Sequence, residues 1–465
     1  MISTIQRLVL RQPKHCKVAV VASEEDFGRL KDTNFVFLPV GVWREVVLPF
    51  LKVKDVVNLD TAVLNKRKRE HFHESFVRTS IFKPCSLDQF RWFASRKCFT
   101  ERLRLNQSSI EQIGTIIWSS DWMLKELMLQ VGHNGSEPDE FLASVLNYCK
   151  QLTKLVLMSS DFDWKSVRIS SMLTLTTIRV SSYNNVSDDF LIHLVENSPQ
   201  LQVLALGDTR FSSAVLRTCV DKCTQLTELN MTSNKFYENF EEGVAYESAM
   251  REVLCKCTKL TKLNARVISE GGFFQRGDLF AGLKHITLRG SYTHRQDDAI
   301  IKMVQCCPNI ETLVLHSFYH NTDASLQTIA TRLHHLQSLT VRKLHTVTDE
   351  GIGAARRNCL KLHTVRIEDC REITCTCFTQ GPRDLLKELS LCVKTLHEDN
   401  IANCAQHNTS LTSLYICIDN GFGANQPQLS PTLFSRAVIH LPYLQKFYFV
   451  YESLEKADLA CFNDE

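Results

Sequence analysis

Glycine is scarce in this chain, 17 of 465 residues, which disfavours glycine-rich, phosphate-cradling loops as a theme. No run of eighteen apolar residues occurs, so no membrane-spanning helix is expected. An excess of one charge is also lacking. Against 54 Lys and Arg stand 51 Asp and Glu, a formal charge of +3, so nothing global argues for nucleic acid. No G-x-S-x-G elbow and no P-loop are present. Gly351-Ile352-Gly353 opens a G-x-G-x-x pattern, but Arg356 takes the place of the third glycine that a dinucleotide site needs. The expectation is a protein that is not an enzyme and carries no cofactor.

What is present is a repeat. The phrase L-x-x-L-x-L, with conservative swaps, starts at Leu124, Leu152, Leu175, Leu201, Leu226, Leu260, Leu283, Ile310, Leu336, Leu362, Leu386, Leu411 and Leu444. The spacing stays near twenty-six residues, the period of a leucine-rich-repeat solenoid. Each repeat reads as strand, turn and helix. In residues 186–206, Ser187 is a good N-cap and Asp188 and Asp189 suit the positive helix start. Phe190, Leu191, Leu194 and Val195 share one helical face, and Pro199 stops the helix. One repeat cannot bury that face alone, so neighbours must stack. The expected class is α/β, a leucine-rich-repeat horseshoe over residues 100–465, with a long concave surface that favours binding over catalysis.

The chain has 18 cysteines. Cys149, Cys223, Cys257, Cys307 and Cys359 each stand three residues before the first apolar residue of a repeat. This C-x-x-L-x-x-L-x-L phrase resembles the cysteine-containing subclass of leucine-rich repeats, common in substrate-recognition subunits of ubiquitin ligases. Three residues after the last Leu, a small polar residue or Cys is expected. Ser160, Thr209, Asn234, Ser291 and Cys370 fit, whereas Phe318 and Leu344 do not, so irregular turns are expected there. The pairs Cys255/Cys257, Cys306/Cys307 and Cys375/Cys377, with Cys370 and His363 nearby, lack the double knuckle of a zinc site. His316 and His320 are four apart but begin on a strand, so they make no helical metal pair. The thiols are expected to be reduced, intracellular and metal-free.

Residues 35–80 break the repeat. Val42, Val46, Val47, Phe50 and Leu51 form a helical stripe that Pro49 perturbs or ends. Asp55 suits the cap of a second helix with Val56, Leu59 and Ala62. Arg69, Phe72 and Phe76 lie on a third helical stretch. This all-α segment resembles the F-box, through Leu38-Pro39, the stripe and Asp55-Val56-Leu59, although the Trp usual after the second helix is absent. The resemblance implies that Leu38, Pro39, Val42, Trp43, Val46, Phe50, Leu51 and Leu59 face the Skp adaptor of a cullin ligase. The structural alternative is a plain cap for the solenoid. Residues 1–34 read as a tail and 81–99 as a linker or capping segment. The stretch before Glu24 carries Arg7, Arg11, Lys14 and Lys17 and no acid; it reads as a flexible basic tail or a transit peptide. Lys66–Arg69 reads as a solvated helix end or a nuclear localisation signal.

On the repeat strands, the residue after the last inward one is Arg266, Arg289, His316 and Arg342 in four consecutive repeats. Arg366 lies one repeat later and one outward position earlier, and Lys262 and His285 flank the column. Stacked arginines suit carboxylate or phosphate. An ordinary solvated strand face gives the same pattern. By resemblance to hormone-receptor relatives, an inositol phosphate is a further candidate for the same place. His316 is expected to tighten binding below its usual pKa of about 6.5. The long repeats at 232–256 and 419–431 are expected to be surface loops, with Phe236, Tyr237 and Phe240 as aromatic anchors. The expected function is a non-catalytic substrate receptor of a Skp–cullin–F-box (SCF) ubiquitin ligase, binding an acidic or phosphorylated protein substrate, in the cytoplasm or nucleus. The alternative is a cullin-independent scaffold or inhibitor. Neither nucleic acid nor membrane is an expected partner.

Overall fold

In the computed structural model the described residues are 102–106, 124–131, 138–159, 164–170, 172–182, 186–207, 209–232, 240–291, 294–393, 398–418 and 439–451. The tail, the 35–80 module with all of its candidate adaptor residues, and the 81–99 segment lie outside them. The chain divides into two units, Met1–Phe190 and Leu191–Glu465.

In the first unit, β1 (Arg102–Asn106), β2 (Glu126–Val131), β3 (Lys154–Ser159) and β4 (Thr177–Ser182) run parallel in sequence order. Helix α1 (Pro138–Tyr148) returns the chain from β2 to β3. Leu103, Leu105, Leu127, Leu129, Leu155 and Leu157 are buried, so alternation sends every second side chain into the core. β1 adds a repeat before the first expected one. It escaped the leucine pattern because Thr100 stands where the opening Leu belongs.

Among the described residues the second unit holds ten parallel strands: β5 (Val203–Ala205), β6 (Glu228–Met231), β7 (Lys262–Arg266), β8 (His285–Arg289), β9 (Thr312–His316), β10 (Ser338–Arg342), β11 (Thr364–Glu368), β12 (Glu388–Val393), β13 (Ser413–Ile418) and β14 (Lys446–Tyr451). The described helices from Asp188 onward are α2 (Asp188–Glu196), α3 (Ser213–Lys222), α4 (Phe240–Lys256), α5 (Asp297–Cys306), α6 (Asp323–Arg332), α7 (Asp349–Asn358) and α8 (Glu398–His407), with a 3₁₀ turn at Thr376–Thr379. α2 starts after Ser187 and ends before Pro199, as the sequence predicts.

Polar groups tie each repeat to the next. The Thr322 amide and hydroxyl both donate to the Asp297 carboxylate at 3.0 Å, and Thr348 repeats this on Asp323 and Thr374 on Asp349. Burial raises the Asp349 carboxyl, but the hydrogen bonds from Thr374 and Cys377 outweigh it and leave the group below its ordinary value. At helix ends a buried residue accepts the amide of the leucine that opens the next strand phrase. Leu152 donates to the Cys149 carbonyl, Leu260 to Cys257 and Leu362 to Cys359, at 3.0–3.1 Å. Ser198, Leu333 and Asn408 fill the same slot. What recurs is a carbonyl acceptor on a buried residue, and Cys, Ser, Leu and Asn all occupy that place.

The structure corrects three expectations. The 232–256 stretch is not a loop throughout, because α4 takes up Phe240–Lys256. Tyr246, Ala249, Met250, Val253 and Leu254 are buried at helical spacing, so the added residues lengthen a helix. Phe236, Tyr237 and residues 419–431 lie outside the described residues. Second, Phe318 and Leu344 do not distort their turns. The residues before them, Ser317 and Lys343, adopt left-handed φ of 61° and 57°, and Asp369, before the expected Cys370, adopts 50°. Phe318 and Leu344 are fully buried, so the slot accepts apolar bulk. Third, not every return is helical: residues 267–284 reach β8 without a helix.

Gly351 and Gly353 sit inside α7. A Cβ at Gly351 would collide with the Asp323 carboxylate, and one at Gly353 with the Gln380 side chain. Close packing accounts for both glycines, and Arg356 is buried beneath the Phe378 ring, its Nη2 on the Asn408 Oδ1 at 2.9 Å.

Candidate functional site

The last positions of β7 to β11 and the penultimate positions of β12 and β13 align in register: Arg266, Arg289, His316, Arg342, Glu368, Cys392 and Cys417. Side chains alternate across a strand, so these residues share the sheet face opposite the buried leucines. The cationic column is therefore brought together as the repeat period predicts. Adjacent parallel strands lie about 4.8 Å apart, so four members span roughly 14 Å.

The members differ in environment. Arg266 is only 4% exposed, against the expectation of a solvent-facing residue. Its position on the outward face follows from strand alternation, but burial depends on neighbours that alternation does not count. α4 packs close by, for the Tyr246 hydroxyl accepts the Arg266 amide at 3.3 Å and donates to the Met231 carbonyl at 3.0 Å. Arg289 and His316 are half-buried and Arg342 is exposed. Arg342 Nε and Nη2 both donate to Glu368 Oε2. Arg366 lies one outward position earlier, in register with Thr340 and Ser390, and its Nη2 lies 3.4 Å from Glu388 Oε2. Lys262, also on this face, is 3.9 Å from Glu228. The acids that end the column on β11 and β12 thus hold two of its five predicted cations.

His316 corrects a further expectation. Burial, then the charges of Arg289, Arg342, Lys343 and Arg266, push its imidazole down to about 4. It is neutral at physiological pH, so it adds no positive charge near pH 6.5. Its Nδ1 is 2.7 Å from Ser317 Oγ. Arg289, Arg342, Lys343 and Arg266 thus all lie close enough to disfavour a further positive charge at His316.

Beyond the acids the face changes character. Tyr415 of β13 and Tyr448 of β14 are in register, their rings 6.3 Å apart, with Tyr448 56% exposed. Ser390, Cys392 and Cys417, half-buried, complete this end, and the exposed Lys446 at the start of β14 is its one described charge beyond Glu388. A search for stacked charges passes over it. The signal was the alternation in S-L-Y-I-C-I and K-F-Y-F-V-Y, which sends the tyrosines outward.

Burial sets the chemistry of the thiols. It pushes Cys149, Cys257, Cys306 and Cys359 up to about 11, and Cys370 and Cys404 up to about 12. Thiols so placed stay protonated near neutral pH and are weak nucleophiles and metal ligands. Among the described residues no cluster of three or more His, Cys, Asp or Glu is placed to hold a metal ion. No described helix is long and apolar enough to cross a membrane.

No protein-family model matches the sequence, and no curated protein matches it. Among solved structures, a chain of the crystal structure of the Rad7 and Elc1 complex in yeast is similar, at 17% identity and a TM-score of 0.42. The match covers 88% of this chain and 98% of that one.

Proposed function

We propose that this chain is the non-catalytic substrate receptor of an SCF-type ubiquitin ligase, acting in the cytoplasm or nucleus. The 35–80 module docks on the Skp adaptor, and through it on the cullin complex. The β7–β11 face holds an acidic or phosphorylated segment of the target, with Arg289, His316 and Arg342 at its centre and Arg266 and Arg366 at its margins. The chain supplies proximity, which turns a bimolecular encounter with the charged enzyme into an effectively intramolecular one.

The observation that carries the reading is the in-register column itself, which sets three arginines and a histidine on one sheet face in consecutive repeats. The F-box resemblance of Leu38-Pro39 and the Val42, Val46, Phe50, Leu51 stripe supports the adaptor end. The test is capture of purified Skp adaptor by the full chain. Wild type binds, and Leu38→Ala with Phe50→Ala abolishes binding while the melting temperature of the repeats stays unchanged. Undiminished capture by the double variant, or none by wild type, leaves the cullin-independent scaffold reading in its place.

A further inference from the structure

We propose that this face reads an extended segment of the target in two parts. A phosphorylated serine or threonine sits over β8–β10, and an aromatic or aliphatic side chain about seven residues away sits over β13–β14. This rests on the reading that the face holds the target, and it adds what the target must carry and at what spacing.

The face is polar along its length. Cations gather on β8–β10, acids follow on β11 and β12 as Glu368 and Glu388, and the tyrosine pair, with Lys446 at its edge, closes it on β13 and β14. From Arg289 to Tyr415 is five strand intervals, about 24 Å at roughly 4.8 Å each. An extended peptide advances about 3.4 Å per residue, which sets the separation near seven residues. Glu368 decides between the two anions. Arg342 already holds that carboxylate through two nitrogens. A target carboxylate of the same charge only exchanges with it, whereas a phosphate monoester carries about −1.5 to −2 and three acceptor oxygens. The same acids disfavour a second negative group over β11 and β12. At the far end the exposed Tyr448 ring offers apolar area with a polar rim, the usual anchor of an interface.

The test uses an array of degenerate peptides. One phosphoserine is fixed, and a single Phe or Leu is scanned from twelve residues before it to twelve after. Matched arrays carry Glu or Ser in place of phosphoserine. The probe is the purified full chain without adaptor, so the outcome is independent of adaptor capture. The expected profile peaks at six to eight residues from the phosphoserine, with capture at least tenfold above the Glu and Ser arrays. Arg289→Glu flattens the phosphoserine preference and leaves the apolar preference, and Tyr415→Ala does the reverse. Unchanged melting temperatures verify both folds, and Arg289→Gln and Tyr415→Phe serve if either fails. A profile flat in spacing, no capture above the Ser array, or equal capture of the Glu array overturns the proposal.

Discussion

Two kinds of return connect equally regular strands in the second unit. Between β9 and β11 the chain comes back through α6 and α7, whose backbones satisfy themselves. Those repeats are joined by carboxylate staples, Asp323 to Thr348 and Asp349 to Thr374. Between β7 and β8, residues 267–284 come back without a helix, and their polar groups depend on neighbours. The Glu247 carboxylate on α4 accepts the amides of Ile268 and Ser269, at 2.8 and 3.0 Å, and the Ser269 hydroxyl. Gln296 donates to the carbonyls of Val267 and Ser269, and Arg251 clasps Asp278 at 3.0 Å through two nitrogens. Phe273 and Phe274 supply the apolar filling. Strand register is indifferent to the kind of return as long as no buried amide or carbonyl is left over. The helical return spreads that requirement over many residues, and the irregular one places it on a few side chains.

That difference predicts unequal costs. Glu247→Ala removes an acceptor from two amides and a hydroxyl in a buried setting, and is expected to cost about 3 kcal/mol. Hydrogen exchange of residues 267–272 should accelerate ahead of the rest. A loss under about 1 kcal/mol would break the comparison. Asp323→Ala removes one staple of the regular stretch, where the helix backbone still holds itself. About 1 to 2 kcal/mol is expected from thermal or urea unfolding, less than for Glu247→Ala. The reverse order would mean that the staples carry the regular repeats.

The smallest effect at neutral pH comes from the column, and it grows only as the solution turns acid. Burial, and then the like charges that regular stacking sets around it, hold His316 near 4. The unfolded chain then takes up a proton that the folded one refuses. Stability therefore falls as pH drops from about 6.5 toward 4, and His316→Asn makes the decline shallower in that window. Parallel curves for the two proteins would show that the imidazole titrates normally in the fold.

The strands were legible because two periods agree, alternation within a strand and a repeat near twenty-six residues. The alignment of Arg289, His316 and Arg342 follows from those alone. What they do not encode is what covers an outward residue. Arg266 has the same place in the phrase as Arg342, yet one is buried and the other exposed. Nor does a charge count tell which cations already have acids, since Glu368 and Glu388 belong to later repeats. The helix of residues 240–256 was legible in the spacing of Tyr246, Met250 and Val253, and was masked by reading the long repeat as an insertion. The irregular return leaves only a weak mark, Gly271-Gly272 followed by two phenylalanines.

The slot at the helix ends turns these repeats into a set of gauges. Cys149, Cys223, Cys257, Cys307 and Cys359 occupy it in separate repeats and are closed to solvent, whereas Cys255 on α4 is exposed. A thiol reagent in excess meets Cys255 at once and meets each of the others only when its own repeat opens. The labelling rate of each cysteine then measures the free energy of opening at that point along the solenoid. A native side chain that serves packing thus doubles as a reporter, and the ladder of rates would show where unfolding of this chain begins.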